Sequence, residues 1–104
     1  MKSLKVFLSH PMSDIPEDEV MTLRNDTERY LRAVYKTYDK IEIIDNYHHD
    51  NAPPDAGRLW HLGASIQLLE NIDIVCFCGK WQHSKGCIVE HEICVQYHIP
   101  YITL

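Results

Sequence analysis

The sequence predicts a small α/β domain: a doubly wound parallel sheet of about four strands, in a flavodoxin-like or Rossmann-like three-layer sandwich. Three observations predict it. Short, largely apolar runs (Val6-Phe7-Leu8, Ile41-Glu42-Ile43-Ile44, Ile72-Asp73-Ile74-Val75-Cys76-Phe77) alternate with longer segments whose apolar residues recur at helical spacing. Strands apolar on both faces belong in a parallel sheet covered on both sides, and the alternation supplies the crossover helices. The loops after the first three strands then open on one sheet edge, where such folds bind ligands.

The elements follow in order. Val6 to Leu8 forms the first strand, and Ser9-His10-Pro11-Met12-Ser13-Asp14, small, polar and broken by proline, reads as a loop suited to a ligand. From Glu17 to Tyr38 there is no Gly or Pro, and Val20, Leu23, Thr27, Tyr30, Leu31, Val34 and Tyr38 mark a long first helix. Ile41 to Asp45 is the second strand. The segment from Asn46 to Gly57, rich in Pro and Asn, is long for a plain connection, as functional loops often are. Arg58 to Glu70 returns to helical spacing through Leu59, Leu62, Ile66 and Leu69, Ile72 to Cys78 is the third strand, and Lys85 to Tyr97 the third helix. Pro100 to Thr103 is a terminal strand. The whole is one domain, residues 1–104, with no repeat or linker.

Composition narrows the function. A formal charge of -5 and ten Lys and Arg without a basic block argue against nucleic-acid polymers and anionic membranes, though not against a single nucleotide in a local pocket. Cys76, Cys78, Cys87 and Cys94 form no CxxC pair, so reduced, partly buried thiols are expected rather than disulfides or a zinc knuckle. With no signal-like start and no run of about 18 apolar residues, a cytoplasmic protein is expected. At this size, partner subunits would add much stability, and a homodimer or larger assembly is expected.

The densest signal is Ser84-Lys85-Gly86-Cys87-Ile88-Val89-Glu90. At about 100° per residue, Val89, Ile93, Tyr97, Cys94 and Cys87 form one apolar arc with Glu90 near its centre. A carboxylate there costs free energy unless hydrogen-bonded or facing a cleft, so a catalytic or ligand-binding role stands beside a bland one, pairing with a core Tyr or His. Ser84 and Gly86 either cap this helix or present its N–H groups to a phosphate or carboxylate. Trp81 either stacks on a base or covers the sheet edge. His48-His49-Asp50, His61, His83 and His91 lack ligand spacing, and no metal or cofactor is expected. GxSxG and GxGxxG are absent, and Asp73, at the wrong end of its strand, is expected to cap or pair locally.

Three stretches together resemble the nucleoside 2-deoxyribosyltransferase-like superfamily, in particular its short bacterial and phage members. Lys5 to Ser13 is similar to the opening strand and "SGPM(S/T)G" loop; Trp60 to Val75 to the helix and "CDAV" strand; Gly79 to Glu92 to "GWxxSxGxxxEHE". The resemblance implies cleavage or transfer at an N-glycosidic bond of a nucleoside or nucleoside 5'-monophosphate, with Glu90 as nucleophile at the anomeric carbon. It implies that Ser84 and Gly86 hold the sugar or 5'-phosphate, and that Ser9, His10, Pro11, Met12 and Ser13 close over base or sugar. Among the departures from the pattern, Phe7 stands where a tyrosine is usual, and Ser65 where an aspartate assists the leaving base. A hydroxyl is a poor general acid, and His10, where glycine is typical, is a candidate to supply the missing proton or a phosphate contact. Hydrolysis is expected over base transfer, and non-catalytic binding of a nucleotide or nucleotide-derived signal is the alternative.

Overall fold

The structure, a computed structural model, describes residues 2–47 and 51–104. His48, His49 and Asp50, weighed above as metal candidates, lie outside the described residues. The order is β1 (Ser3–Ser9), α1 (Glu17–Val34), β2 (Lys40–Ile44), α2 (Arg58–Leu68), β3 (Ile74–Phe77), α3 (Lys85–Gln96) and β4 (Tyr101–Thr103), with single 3-10 turns at Leu69–Asn71 and Trp81–His83. The strands lie in the order β2-β1-β3-β4, every neighbouring pair parallel. This is the expected small α/β sheet. Chain order reverses between β1 and β3, so the crevice at their carboxyl ends is the topological switch point.

Successive side chains of β1 point to opposite faces, and the core divides accordingly. Leu4, Val6 and Leu8 pack with Cys76, Cys78 and Leu31 beneath α1. Phe7 packs with Val75, Phe77, Leu69 and Cys94 on the other face, beneath α2 and α3. All four cysteines are buried free thiols, as their spacing predicts. Among the described residues no helix is long and apolar enough to cross a membrane.

Element ends differ from the expectations in instructive ways. Helix α1 stops at Val34, four residues short of Tyr38: Tyr35 caps it through its N–H on Leu31 O, and Tyr38 folds back so that its ring meets Tyr35 edge-on at 6.2 Å. The two tyrosines keep helical spacing but serve the turn into β2, where they cover the α1 core. Ser9, expected in a loop, is the last residue of β1, paired with Phe77 in register. Asp73 behaves as expected at the amino edge, its Oδ2 accepting from Lys5 N at 2.7 Å.

Candidate functional site

Glu90 sits where α3 crosses the carboxyl ends of β1 and β3. The inward face of α3 is Cys87, Glu90 and Cys94, at helical offsets of three and seven. Val89 and Tyr97, expected on that face, are 39% and 76% exposed. The arc is therefore turned toward its cysteine side: Cys94 fits into the Phe7, Val75 and Phe77 layer, a contact the bulkier Tyr97 does not make.

The Glu90 side chain is 6% exposed, and the Ser9 hydroxyl donates to its Oε1 at 2.7 Å. Ser9 in turn is fully buried and anchored through its backbone carbonyl, which accepts from Cys78 N at 3.0 Å. Burial pushes the Glu90 carboxyl from its ordinary 4.5 up to about 7, against the Ser9 hydrogen bond, which lowers it. Burial also raises the thiols that flank it: Cys94 reaches about 11, and Cys87 rises although hydrogen bonds from Ser84 and Ser9 oppose the shift. The site thus holds one carboxyl poised near neutrality among thiols that stay protonated.

The other expected residues divide around it. Ser84 caps α3, its Oγ accepting from Cys87 N at 3.4 Å, so the structural role is real. At Gly86 an added Cβ would meet Leu62 Cδ1 at 3.8 Å, an ordinary contact, so the glycine is not demanded by space. Ser65 is the buried residue of α2, at 4% exposure, while Leu59 on the same helix is 82% exposed. Trp81 stacks on His91 at 5.0 Å and 20°, beside Phe77 at 5.1 Å. One face of the indole is thereby taken, and the ring packs against Phe77 of β3. Pro11 and Met12 are half-buried and Ser13 exposed in the loop after β1. That loop reverses at Asp14 with φ 62° and lies against Gly79, whose φ of 66° and close approach to Leu23 and Pro11 require glycine.

His10 is on the other side of β1 from Glu90. Its Nε2 lies 2.9 Å from Arg24 Nη1 of α1, and its Nδ1 lies 3.1 Å from Pro11 O. Arg24 Nη1 also donates to Asn46 Oδ1 at 2.9 Å, and Asn46 Nδ2 donates to Leu8 O at 2.8 Å. Burial lowers the His10 pKa, and the Arg24 charge adds to this. Sequence reasoning missed Arg24 and Asn46. The signal was present: Arg24 lies between Val20, Leu23 and Thr27 on the apolar face of α1, as Glu90 does on α3.

Two open cavities of about 240 and 220 Å³ lie elsewhere, one under the end of α1 at Tyr35, Tyr38 and Ile41, the other between α1 and β2 at Met21, Arg24 and Ile43. Neither is lined by Glu90. Comparison with protein-family models, curated proteins and solved structures finds no match to this chain. The functional reading therefore rests on the switch-point geometry and on the motifs in the sequence.

Proposed function

We propose that this chain is an N-glycosidase-like hydrolase of a nucleoside or nucleoside 5'-monophosphate, related to the nucleoside 2-deoxyribosyltransferase-like superfamily, with Glu90 as its nucleophile. The observation that carries the reading is the buried Glu90 carboxyl, held by Ser9 at 2.7 Å in the crevice at the switch point. A carboxyl kept there without a salt bridge among the described residues costs stability. Such a cost is characteristic of a group retained for chemistry.

In this reading Ser9 fixes Oε1 and leaves Oε2 to attack the anomeric carbon. The carbon–oxygen bond forms as the glycosidic carbon–nitrogen bond breaks, and the departing electron pair stays on the base nitrogen, which takes a proton from solvent. Water then attacks the anomeric carbon, releasing the sugar and regenerating the carboxylate. The N-terminal turn of α3, with Ser84 and Gly86, is the place for a 5'-phosphate. Ser65 sits on the α2 side as a hydrogen-bonding group rather than an acid. The expected homo-oligomer belongs to the same reading, supported by exposed Leu59, Ile88 and Tyr97.

The second reading, a non-catalytic nucleotide binder, is favoured by one observation: Glu90 is only 6% exposed, so a ligand must displace neighbouring side chains to reach it. A panel of ribo- and deoxyribonucleosides and their 5'-monophosphates, incubated with wild type and Glu90→Ala, separates the two. Free base released by wild type and abolished in Glu90→Ala supports the hydrolase. Tight binding without release by either protein supports the binder.

A further inference from the structure

We propose that Arg24 is a positioning residue for the Glu90 site: it holds His10 as a neutral imidazole protonated on Nδ1 and, through His10 and Asn46, fixes the end of β1 that presents the Ser9 hydroxyl. The tautomer follows from chemistry. A guanidinium carries only N–H donors, so the Nε2 that lies 2.9 Å from Arg24 Nη1 must accept. The ring proton is then on Nδ1, where it is donated to Pro11 O at 3.1 Å. A second proton on Nε2 would face the guanidinium, so the neutral form is enforced by the contact itself.

The same guanidinium orients Asn46, whose Oδ1 accepts from Arg24 and whose Nδ2 donates to Leu8 O. Three consecutive residues at the end of β1 are thereby held: Leu8 through its carbonyl by Asn46, Ser9 through its carbonyl by Cys78 N, and His10 through its ring by Arg24. With the backbone on both sides held, the Ser9 hydroxyl donates to Glu90 Oε1 at 2.7 Å. The groups around Arg24 are Glu28 of α1, Asp45 and the Ile44 carbonyl at the end of β2, Cys78 after β3, and His10 itself. Arg24 is 8% exposed yet its nearest polar partners are neutral. An apolar side chain of similar size would pack there at less cost, so stability alone does not account for a buried guanidinium. Both His10 nitrogens are engaged, so His10 positions the strand end and does not protonate a leaving base. The inference rests on Ser9 and Glu90 being the reactive pair, but its decisive readout needs no turnover.

The test is side-chain NMR of wild type, Arg24→Lys and Arg24→Leu, following the His10 ring nitrogens and the Glu90 carboxyl carbon against pH. In wild type, His10 carries its proton on Nδ1 and stays neutral below its ordinary 6.5. In Arg24→Lys, which keeps the charge and a donor but cannot span His10 and Asn46 with one planar group, the joint hold on His10 and Asn46 is lost, and in Arg24→Leu the fixed tautomer is lost as well. In both variants the Glu90 midpoint then rises as it does in Ser9→Ala. Wherever base release is measurable, kcat falls on the order of tenfold to a hundredfold with KM little changed. An Nε2-protonated or charged His10 in wild type at neutral pH overturns the proposal, as does an Arg24→Lys protein with the Glu90 midpoint unmoved. If Arg24→Leu does not fold, the wild-type tautomer and Arg24→Lys decide. A wild type that releases no base but shows the Nδ1 tautomer removes the hydrolase reading and leaves the network standing.

Discussion

At the scale of single residues, Glu90 links stability to pH. Its carboxyl titrates at about 7 in the folded chain and near 4.5 when unfolded. Below 4.5 both states are protonated and burial carries no ionic penalty. As pH rises the unfolded chain loses its proton first, so folding weakens until the penalty is complete above about 7. A shift of this size corresponds to roughly 3 kcal/mol at about 1.4 kcal/mol per unit. Glu90→Gln is therefore expected to stabilise the protein at pH 8 by about 2–3 kcal/mol and to change little at pH 4, read from urea midpoints. Equal effects at both pH values would contradict the burial of an ionisable group there. His10 has the opposite sign. Its lowered pKa means that the unfolded chain takes up a proton first as pH falls below 6.5, so the stability it contributes at neutral pH is lost on acidification. Ser9→Ala removes the hydrogen bond that favours the Glu90 carboxylate, so the Glu90 midpoint moves up from about 7.

At the scale of elements, the turn after β3 and the cap of α3 frame the site. Gly79 has φ 66°, and an added Cβ would come within 2.8 Å of Leu23 Cδ2. Gly79→Ala is expected to cost about 1–3 kcal/mol in a denaturant titration and to loosen the Pro11 loop packed beside it. Ser84→Ala, which removes the α3 cap, is expected to cost about 1 kcal/mol. Much of this level was legible beforehand. The strands and helices were signalled by apolar period, because parallel strands buried on both faces leave continuous apolar runs, with Gly or Pro punctuation at some of their ends. What periodicity does not encode is where a helix lets go: Tyr35 and Tyr38 keep the spacing of α1 while belonging to the turn that follows it. Nor does it fix rotation, since Tyr97 and Cys94 both lie near Glu90 on the arc and only packing against Phe77 selects Cys94.

At the scale of the molecule, the chain's own order determines where chemistry can occur. With strands in the order β2-β1-β3-β4, the reversal brings together the ends of β1 and β3, and α3 lays Glu90 over them. That convergence was readable because each loop could be assigned to one sheet edge. The Arg24, His10 and Asn46 network was not read, because it joins residues 10, 24 and 46 across three elements on the opposite face. Exposed Leu59 on α2, Ile88 on α3 and Tyr97 just after it lead us to expect a dimer or larger assembly by sedimentation, weakened by Leu59→Lys. A monomer at all concentrations would remove that expectation.

The measurement that bears most directly on the account follows Glu90 by carbon NMR and base release by chromatography across pH 5 to 9 in the same preparation. The account predicts that the carboxyl titrates near 7 and that release rises with the carboxylate through the same midpoint. A Glu90 that titrates near 4.5, or release that persists unchanged in Glu90→Ala, would contradict it.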